Sequence, residues 1–148
     1  MKVVDRFNIR VYGLLLHAGH VLVTDEVIAG QRITKFPGGG LEFGEGPIEC
    51  LVREVKEEMD VQAIAIQHFY TTSFFQRSAY RDSDQMISIY YTFEVDGMIA
   101  PEMADVPLGK DPEATLRFRW LPLTAQASGQ ISLPIDRVVM ELLVRPTI

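Results

Sequence analysis

The sequence predicts an α/β domain, a mixed sheet covered on both faces by helices. Two observations lead there. Runs of strand-type residues recur along most of the chain, and two segments carry apolar residues at helical spacing, one following Gly46 and Pro47 and the other over Pro134–Val144. There is no internal repeat, low-complexity stretch or linker, so residues 1–148 are expected to form a single domain. At that size about two-thirds of the unfolded surface can be buried, enough for a real core.

The bulk composition narrows the function classes. Hydrophobic residues at 47% and charged residues at 23% are ordinary globular values. The net charge of −6, with no basic run, argues against a nucleic-acid polymer or an anionic membrane as the partner. It leaves room for a small phosphorylated substrate that arrives with its metal ions. Cys50 is the only cysteine, which excludes an intramolecular disulfide and a cysteine-rich zinc site. The first ten residues lack the apolar core of a signal peptide, and no eighteen-residue apolar run occurs, so a cytoplasmic location is expected.

Taken in order, residues 7–16 read as a strand, with Phe7, Ile9 and Val11 alternating before Leu14, Leu15 and Leu16. His17, Ala18, Gly19 and His20 form a hairpin turn. The two histidines are read as solvent-exposed turn residues rather than a metal pair. Residues 21–24 return as a second strand, 25–30 form a loop, and 32–36 make a short strand leading to Pro37 and the glycines. Arg32 and Lys35 are read as exposed strand charge, with contact to a phosphate as the alternative. After the first helix, 62–75 is a long β-type stretch in which His68 has a core or edge reading. Residues 76–84 are a polar loop, 85–95 a strand with Ile87, Ile89, Tyr91, Phe93 and Val95 on one face, and 98–112 an irregular loop with Pro101, Pro107 and Gly109. A last strand covers 115–121, a short helix or turn 122–128, and a C-terminal helix Pro134–Val144, with Ile135, Val138, Val139, Leu142 and Leu143 on its apolar face.

The chemistry concentrates between Gly39 and Val61. Gly46 suits the N-cap, and Pro47 suits the first turn, where its missing N–H would have been unpaired anyway. Ile48, Leu51, Val52, Val55 and Met59 form an apolar face. Glu54, Glu57 and Glu58 share another, roughly a right angle away at about 100° per residue. Like charges at these spacings cost about 0.2–0.5 kcal/mol per pair. Two of the three also lie toward the helix C-terminus, where the helix dipole disfavours anions. Such a cluster becomes favourable if it holds hard divalent cations, which prefer carboxylate, carbonyl and water oxygens. The Gly38–Gly40 loop brings backbone carbonyls to the same place.

Gly39, five residues, Glu45, seven residues, then Arg53, Glu54, Glu57 and Glu58 resembles the Nudix box, the signature of the Nudix hydrolases. Six fixed positions match, and chance gives such a match about 10⁻⁵ times in a chain of this length. Asp60 stands where the family usually has a glycine that ends the helix in a left-handed conformation. Asp tolerates that conformation better than most residues, so a weakened cap and an intact site are expected. Phe36, Pro37, Gly38 and Gly39, and Trp120 to Leu123, are similar to the family as well.

The resemblance implies an α/β/α sandwich and hydrolysis of a pyrophosphate bond in a nucleoside diphosphate linked to another group. Its substrates would be nucleoside triphosphates, nucleotide sugars or dinucleotides. It implies Glu54, Glu57 and Glu58 as ligands of Mg²⁺ (or Mn²⁺), with the carbonyl of Gly38 or Gly39 as a further ligand. Arg53 would hold a neighbouring glutamate and Glu45 would support the loop through an ion pair. A general base from outside the box is expected at Glu113, with Asp111 second, although loop charge is the simpler reading of both. A homodimer is also implied. Phe7, Phe74, Phe75 and Tyr80 are candidates for stacking on a base, with a core role as the plainer reading. Arg77 and Arg81 are candidates for a terminal phosphate or ribose. Two rivals remain. A prenyl diphosphate isomerase would need a second proton-transfer group beside Cys50, and none is evident. A non-catalytic nucleotide or nucleotide-sugar sensor would tend to lose box acids, and all of them are present.

Overall fold

The computed structural model describes residues 2–97, 106–107 and 116–145. The elements run β1 (Arg6–His17), β2 (His20–Ile28), β3 (Gln31–Lys35), β4 (Gly38–Gly40), α1 (Pro47–Met59), β5 (Gln62–Thr71), β6 (Asp84–Asp96), β7 (Val106–Pro107), β8 (Leu116–Pro122) and α2 (Pro134–Val144), with a 3₁₀ turn at Ala127–Gln130 before α2. The strand order is β5-β6-β1-β2-β8-β7, with β3 added to β2 and β4 to β1. The sheet is mixed, because β1 and β6 run parallel from Arg6↔Asp84 to Leu15↔Phe93 while the other pairs are antiparallel. β1 and β2 meet only beside their turn, at Leu16↔Val21 and His17↔His20. The sheet therefore splits into two leaves joined at one hairpin.

Each face carries one helix, and strand alternation sorts the side chains between them. On one side Cys50, Leu51, Val55 and Met59 of α1 pack with Val11, Leu15, Leu22, Tyr91, Phe93 and Phe118. On the other side Ile135, Val139 and Met140 of α2 pack with Tyr12, Leu14, Val23, Phe36, Tyr90 and Leu121. Each fully buried aliphatic side chain contributes about 1.5–3 kcal/mol, so these two clusters hold the layers together. α2 also buries Asp136, whose carboxylate accepts from the Phe36 N–H at 3.3 Å and from the Tyr90 hydroxyl. Burial raises its pKa to about 6, against the pull of the Tyr90 hydrogen bond. These bonds tie α2 to β6 and to the residue that follows β3.

α1 starts and stops as its sequence predicts. Gly46 caps it in an extended conformation, Pro47 opens the first turn, and Glu49 reaches back to accept from the Gly46 N–H at 3.1 Å. Asp60 ends it at φ 56°, with its N–H donating to the Lys56 carbonyl at 3.0 Å.

Several expectations are corrected. Residues 25–28 continue β2 instead of forming a loop, because the chain reverses in two residues with positive φ, Ala29 and Gly30. The glycines of 38–40 form a short strand on β1 rather than a loop. In α1 it is Ile48, 48% exposed, that leaves the apolar face and Cys50 that joins the core. In α2, Asp136 and Met140 are buried, whereas Val138 and Leu142 are only half-buried. β5 ends at Thr71 and is bulged, with Ala65 at φ 51° and a register shift between Ile64 and Gln67. The 76–84 segment is not a free loop, since Met86 N–H donates to Gln76 O at 2.8 Å and Ser78 N–H to Asp84 O at 3.0 Å. The irregular stretch 98–112 lies mostly outside the described residues.

Asp60→Gly is predicted to raise stability by about 0.5–1 kcal/mol, since glycine adopts a left-handed cap without steric cost. The exposed Lys56–Asp60 pair at 2.8 Å would offset only a few tenths of that. Urea denaturation of the two proteins checks it, and a clear loss of stability would contradict the cap assignment.

Candidate active site

The acidic face of α1 lies against β4, and β4 has no side chains. A Cβ built on Gly39 would fall 2.3 Å from Glu54 Oε1. Only glycine lets that carboxylate rest on the strand. Gly38 is equally constrained, at φ 152° with a built Cβ 2.1 Å from the Val11 carbonyl oxygen.

Arg53 organises the acids around this contact. Its Nε and Nη2 donate to the two oxygens of Glu45 at 2.9 and 2.7 Å, a bidentate pair. Its Nη1 donates to Glu54 at 2.9 Å and to Glu57 at 3.3 Å, and Nη2 also reaches the Gly40 carbonyl at 3.2 Å. Glu45 in turn accepts from the Glu42 N–H at 3.0 Å. One guanidinium thus ties the 40–46 loop to the helix. The Arg53 hydrogen bonds hold the Glu45 carboxyl down at about 2. Cys50 is buried below, its Sγ donating to the Gly40 carbonyl at 3.5 Å. Burial and the neighbouring Glu45 push its thiol up to about 12, so it is packed and protonated.

The three helix glutamates differ in setting. Glu57 is solvent-exposed, Glu54 nearly covered, and Glu58 turned inward with its Oε2 buried and without a hydrogen-bond partner among the described residues. Burial raises the Glu58 pKa to about 7; Lys35 opposes this, while Glu54 and Glu26 add to it. A buried carboxylate oxygen without a partner costs free energy. A hard cation would satisfy it, and the surrounding donors, carboxylates and strand carbonyls, are the oxygens that Mg²⁺ or Mn²⁺ takes. The residues therefore fit such an ion. Among the described residues no three acidic, histidine or cysteine side chains already converge in a metal-holding geometry, because Arg53 holds Glu54 and Glu57. Exposed Glu57 has the freedom to turn.

On the α2 side of β1 lies a cavity of about 290 Å³. Arg10, Tyr12, Lys35, Tyr80, Tyr90 and Asp136 are among the residues that line it. Lys35 corrects the reading of exposed charge. Its ammonium is buried, paired with Glu26 at 3.1 Å and donating to the Phe36 carbonyl at 3.3 Å. Burial disfavours its charge, yet Tyr12, Glu26 and Glu58 together raise its pKa. Arg32 is exposed as expected. Of the aromatic candidates, Phe7, Phe74, Phe75 and Tyr80 are all substantially exposed rather than core, and only Tyr80 lines the cavity. Arg77 lines the cavity as well, but its Nη1 is engaged by the Lys2 carbonyl at 2.9 Å and the Asp82 carbonyl. Arg81 packs toward Asp84 at 3.9 Å. His17 lies 5.7 Å from the Trp120 ring, His20 bonds the Ala18 carbonyl, and His68 is exposed with Nε2 2.7 Å from the Thr71 hydroxyl. Glu113 and Asp111 lie outside the described residues. Arg10, Tyr12 and Asp136 escaped the sequence reading, because strand and helix periodicity does not mark a polar side chain that turns inward.

Residues 6–141 match the NUDIX domain family model. The chain belongs to the Nudix family. The 8-oxo-dGTP diphosphatase of Escherichia coli (strain K12) is 39% identical over 57 residues, 38% of this chain and 40% of that protein, so the match spans less than half of that relative's length. Similar solved structures include a MutT from a study of the Aliivibrio salmonicida and Vibrio cholerae proteins, with TM-score 0.66, 19% identity, and 94% of this chain and 98% of that one covered. A Nudix hydrolase from Nitrosomonas europaea has TM-score 0.67 and 17% identity over 93% and 90%. At such identities the likeness is one of fold, and the α/β fold of this chain is the Nudix fold.

Two predictions follow from the contacts. Gly39→Ala displaces the Glu54 carboxylate while leaving the core untouched, so activity should fall at least tenfold with an unchanged circular dichroism spectrum. The raised Glu58 pKa means that the folded state binds the proton more tightly than the unfolded chain. Stability from this group is therefore full below pH 4.5 and lost as the pH rises toward 7, by about 3 kcal/mol in all. In EDTA, Glu58→Gln should be more stable than the wild type at pH 8, with the gap closing at pH 5. Urea midpoints at the two pH values measure it; a gap independent of pH would contradict the burial.

Proposed function

We propose that this Nudix chain, acting as one domain over residues 1–148, hydrolyses a pyrophosphate bond in a nucleoside diphosphate linked to another group, in a reaction dependent on Mg²⁺ or Mn²⁺. A nucleoside triphosphate is the substrate class favoured by the name of the Escherichia coli relative. The observation that carries the reading is the oxygen-only donor set where the α1 acids meet the side-chain-free β4.

Glu54, Glu57 and Glu58 would hold the cation, together with the carbonyl of Gly38 or Gly39. When bound there, the ion supplies positive charge against the diphosphate and acidifies water. The protein's own part is positioning. Gly39 admits the Glu54 carboxylate, Arg53 fixes Glu45 and Glu54, and the rigid helix presents the three acids at a fixed spacing. The cavity beside β1 accepts the nucleoside, so the phosphates extend toward β4 and α1. Water adds to one phosphorus of the diphosphate, the bridging P–O bond breaks, and a triphosphate yields a nucleoside monophosphate and pyrophosphate. Such transfer depends on positioning and charge stabilisation more than on covalent chemistry. No helix among the described residues is long and apolar enough to cross a membrane.

The test is a panel of nucleoside triphosphates, nucleotide sugars and dinucleotides incubated with Mg²⁺ or Mn²⁺, following phosphate, pyrophosphate and nucleoside monophosphate. Metal-dependent cleavage is expected, reduced about a hundredfold or more in Glu57→Gln without loss of fold. Cleavage that survives EDTA, or that Glu57→Gln leaves intact, would sink the metal-site reading. Tight binding of one compound without cleavage would point to a sensor.

A further inference from the structure

Arg10 has an unusual environment for an arginine on a central strand. It lines the cavity, lies 5.8 Å over the Tyr12 ring, and donates from Nε to the Tyr12 hydroxyl at 3.3 Å. That is its one hydrogen bond among the described residues, and a guanidinium has five donors. Its terminal nitrogens are left for something else. Their place is informative. A Cβ built on Gly40 would lie 3.4 Å from Arg10 Nη1, while one built on Gly39 would strike the Glu54 carboxylate. Successive residues of a strand face opposite ways. Arg10 and Glu54 therefore stand on opposite sides of one glycine strand. Burial disfavours the arginine's charge, but Tyr12, and after it Glu54 and Glu26, raise its pKa.

Lys35, also beside Tyr12, differs. Its ammonium sits 5.6 Å over the same ring, but Glu26 and the Phe36 carbonyl already occupy it. Lys35 contributes field, and Arg10 contributes open donors. A planar fork with free N–H groups matches the paired oxygens of phosphate.

We propose that Arg10 binds the phosphates of the substrate where they pass from the cavity to the carboxylate face of α1, with Lys35 as a fixed supporting charge. This rests on the hydrolase reading for the identity of the substrate. It makes Arg10 a phosphate-reading residue, separate in role from the cavity residues that accept the nucleoside.

The test compares wild type, Arg10→Ala and Arg10→Lys. Binding of dGTP, dGMP and deoxyguanosine is measured by calorimetry in EDTA, and KM and kcat with Mg²⁺ on whichever triphosphate the wild type cleaves. Arg10→Ala should weaken dGTP binding or raise KM about tenfold or more and leave deoxyguanosine binding unchanged. Arg10→Lys should recover part of the loss, which also guards against a folding defect in the alanine variant. If Arg10→Ala weakens nucleoside and nucleotide equally, Arg10 is a prop of the cavity wall and the proposal fails. It fails too if wild-type cleavage, abolished by Glu57→Gln, shows the same KM and kcat in Arg10→Ala. Conversely, dGTP binding that depends on Arg10 in a protein that cleaves nothing on the panel would overturn the hydrolase reading alone. A wild type that neither binds nor cleaves any of these compounds overturns both.

Discussion

The close approach of α1 to a strand without side chains is the constraint on which the rest of the site depends. The glycines of β4 pair with Arg10, Val11 and Tyr12 of β1, the strand shared by both leaves of the sheet. Because they carry no Cβ, the Glu54 carboxylate rests on the backbone on one side and the Arg10 guanidinium lies against it on the other. Any side chain at Gly39 would displace the Glu54 carboxylate from the strand. Packing of Leu51, Val55 and Met59 against the sheet fixes the helix in the position where this contact forms.

Electrostatics follows from that geometry. Three carboxylates on one helical face repel one another, and Arg53 offsets this by bonding Glu54, Glu57 and the loop residue Glu45 together. Glu58 escapes Arg53 and turns inward, where loss of water costs it its ordinary acidity. Arg10 stands half-buried across the glycine strand from Glu54, while buried Lys35 lies close enough to Glu58 to oppose the rise in its pKa. The site thus holds a cluster of acids and, beside it, a pair of cations. A cation fits the first and a phosphate the second.

Much of this was legible along the chain. The start of α1 at Gly46 and Pro47, its end at Asp60, the Pro134–Val144 helix and the covering of the sheet on both faces appear where local pattern puts them. Those features depend on residues a few positions apart, and capping and periodicity are local physics. The errors have an equally physical origin. Residues 25–28 looked like a loop because Asp25 and Glu26 interrupt the apolar run; Asp25 accepts from Thr34 across the β2–β3 hairpin and, at 2.6 Å, from Arg119 Nε, which is remote in sequence. Lys35 looked exposed because its partner Glu26 lies across a strand pair.

By itself the sequence determined the family, the spacing of Glu54, Glu57 and Glu58, and the glycines that face them, since all lie on one continuous segment whose helix repeat sets their geometry. Only the tertiary structure decided that the Glu58 Oε2 is buried, that Asp136 ties α2 to Tyr90 and Phe36, and that Arg10 and Lys35 both lie over the Tyr12 ring in the wall of a cavity. Burial and charge environment arise from elements that meet after long chain excursions, from β1 to β6 and α2, and no local pattern of residues records which side chains those excursions bring together.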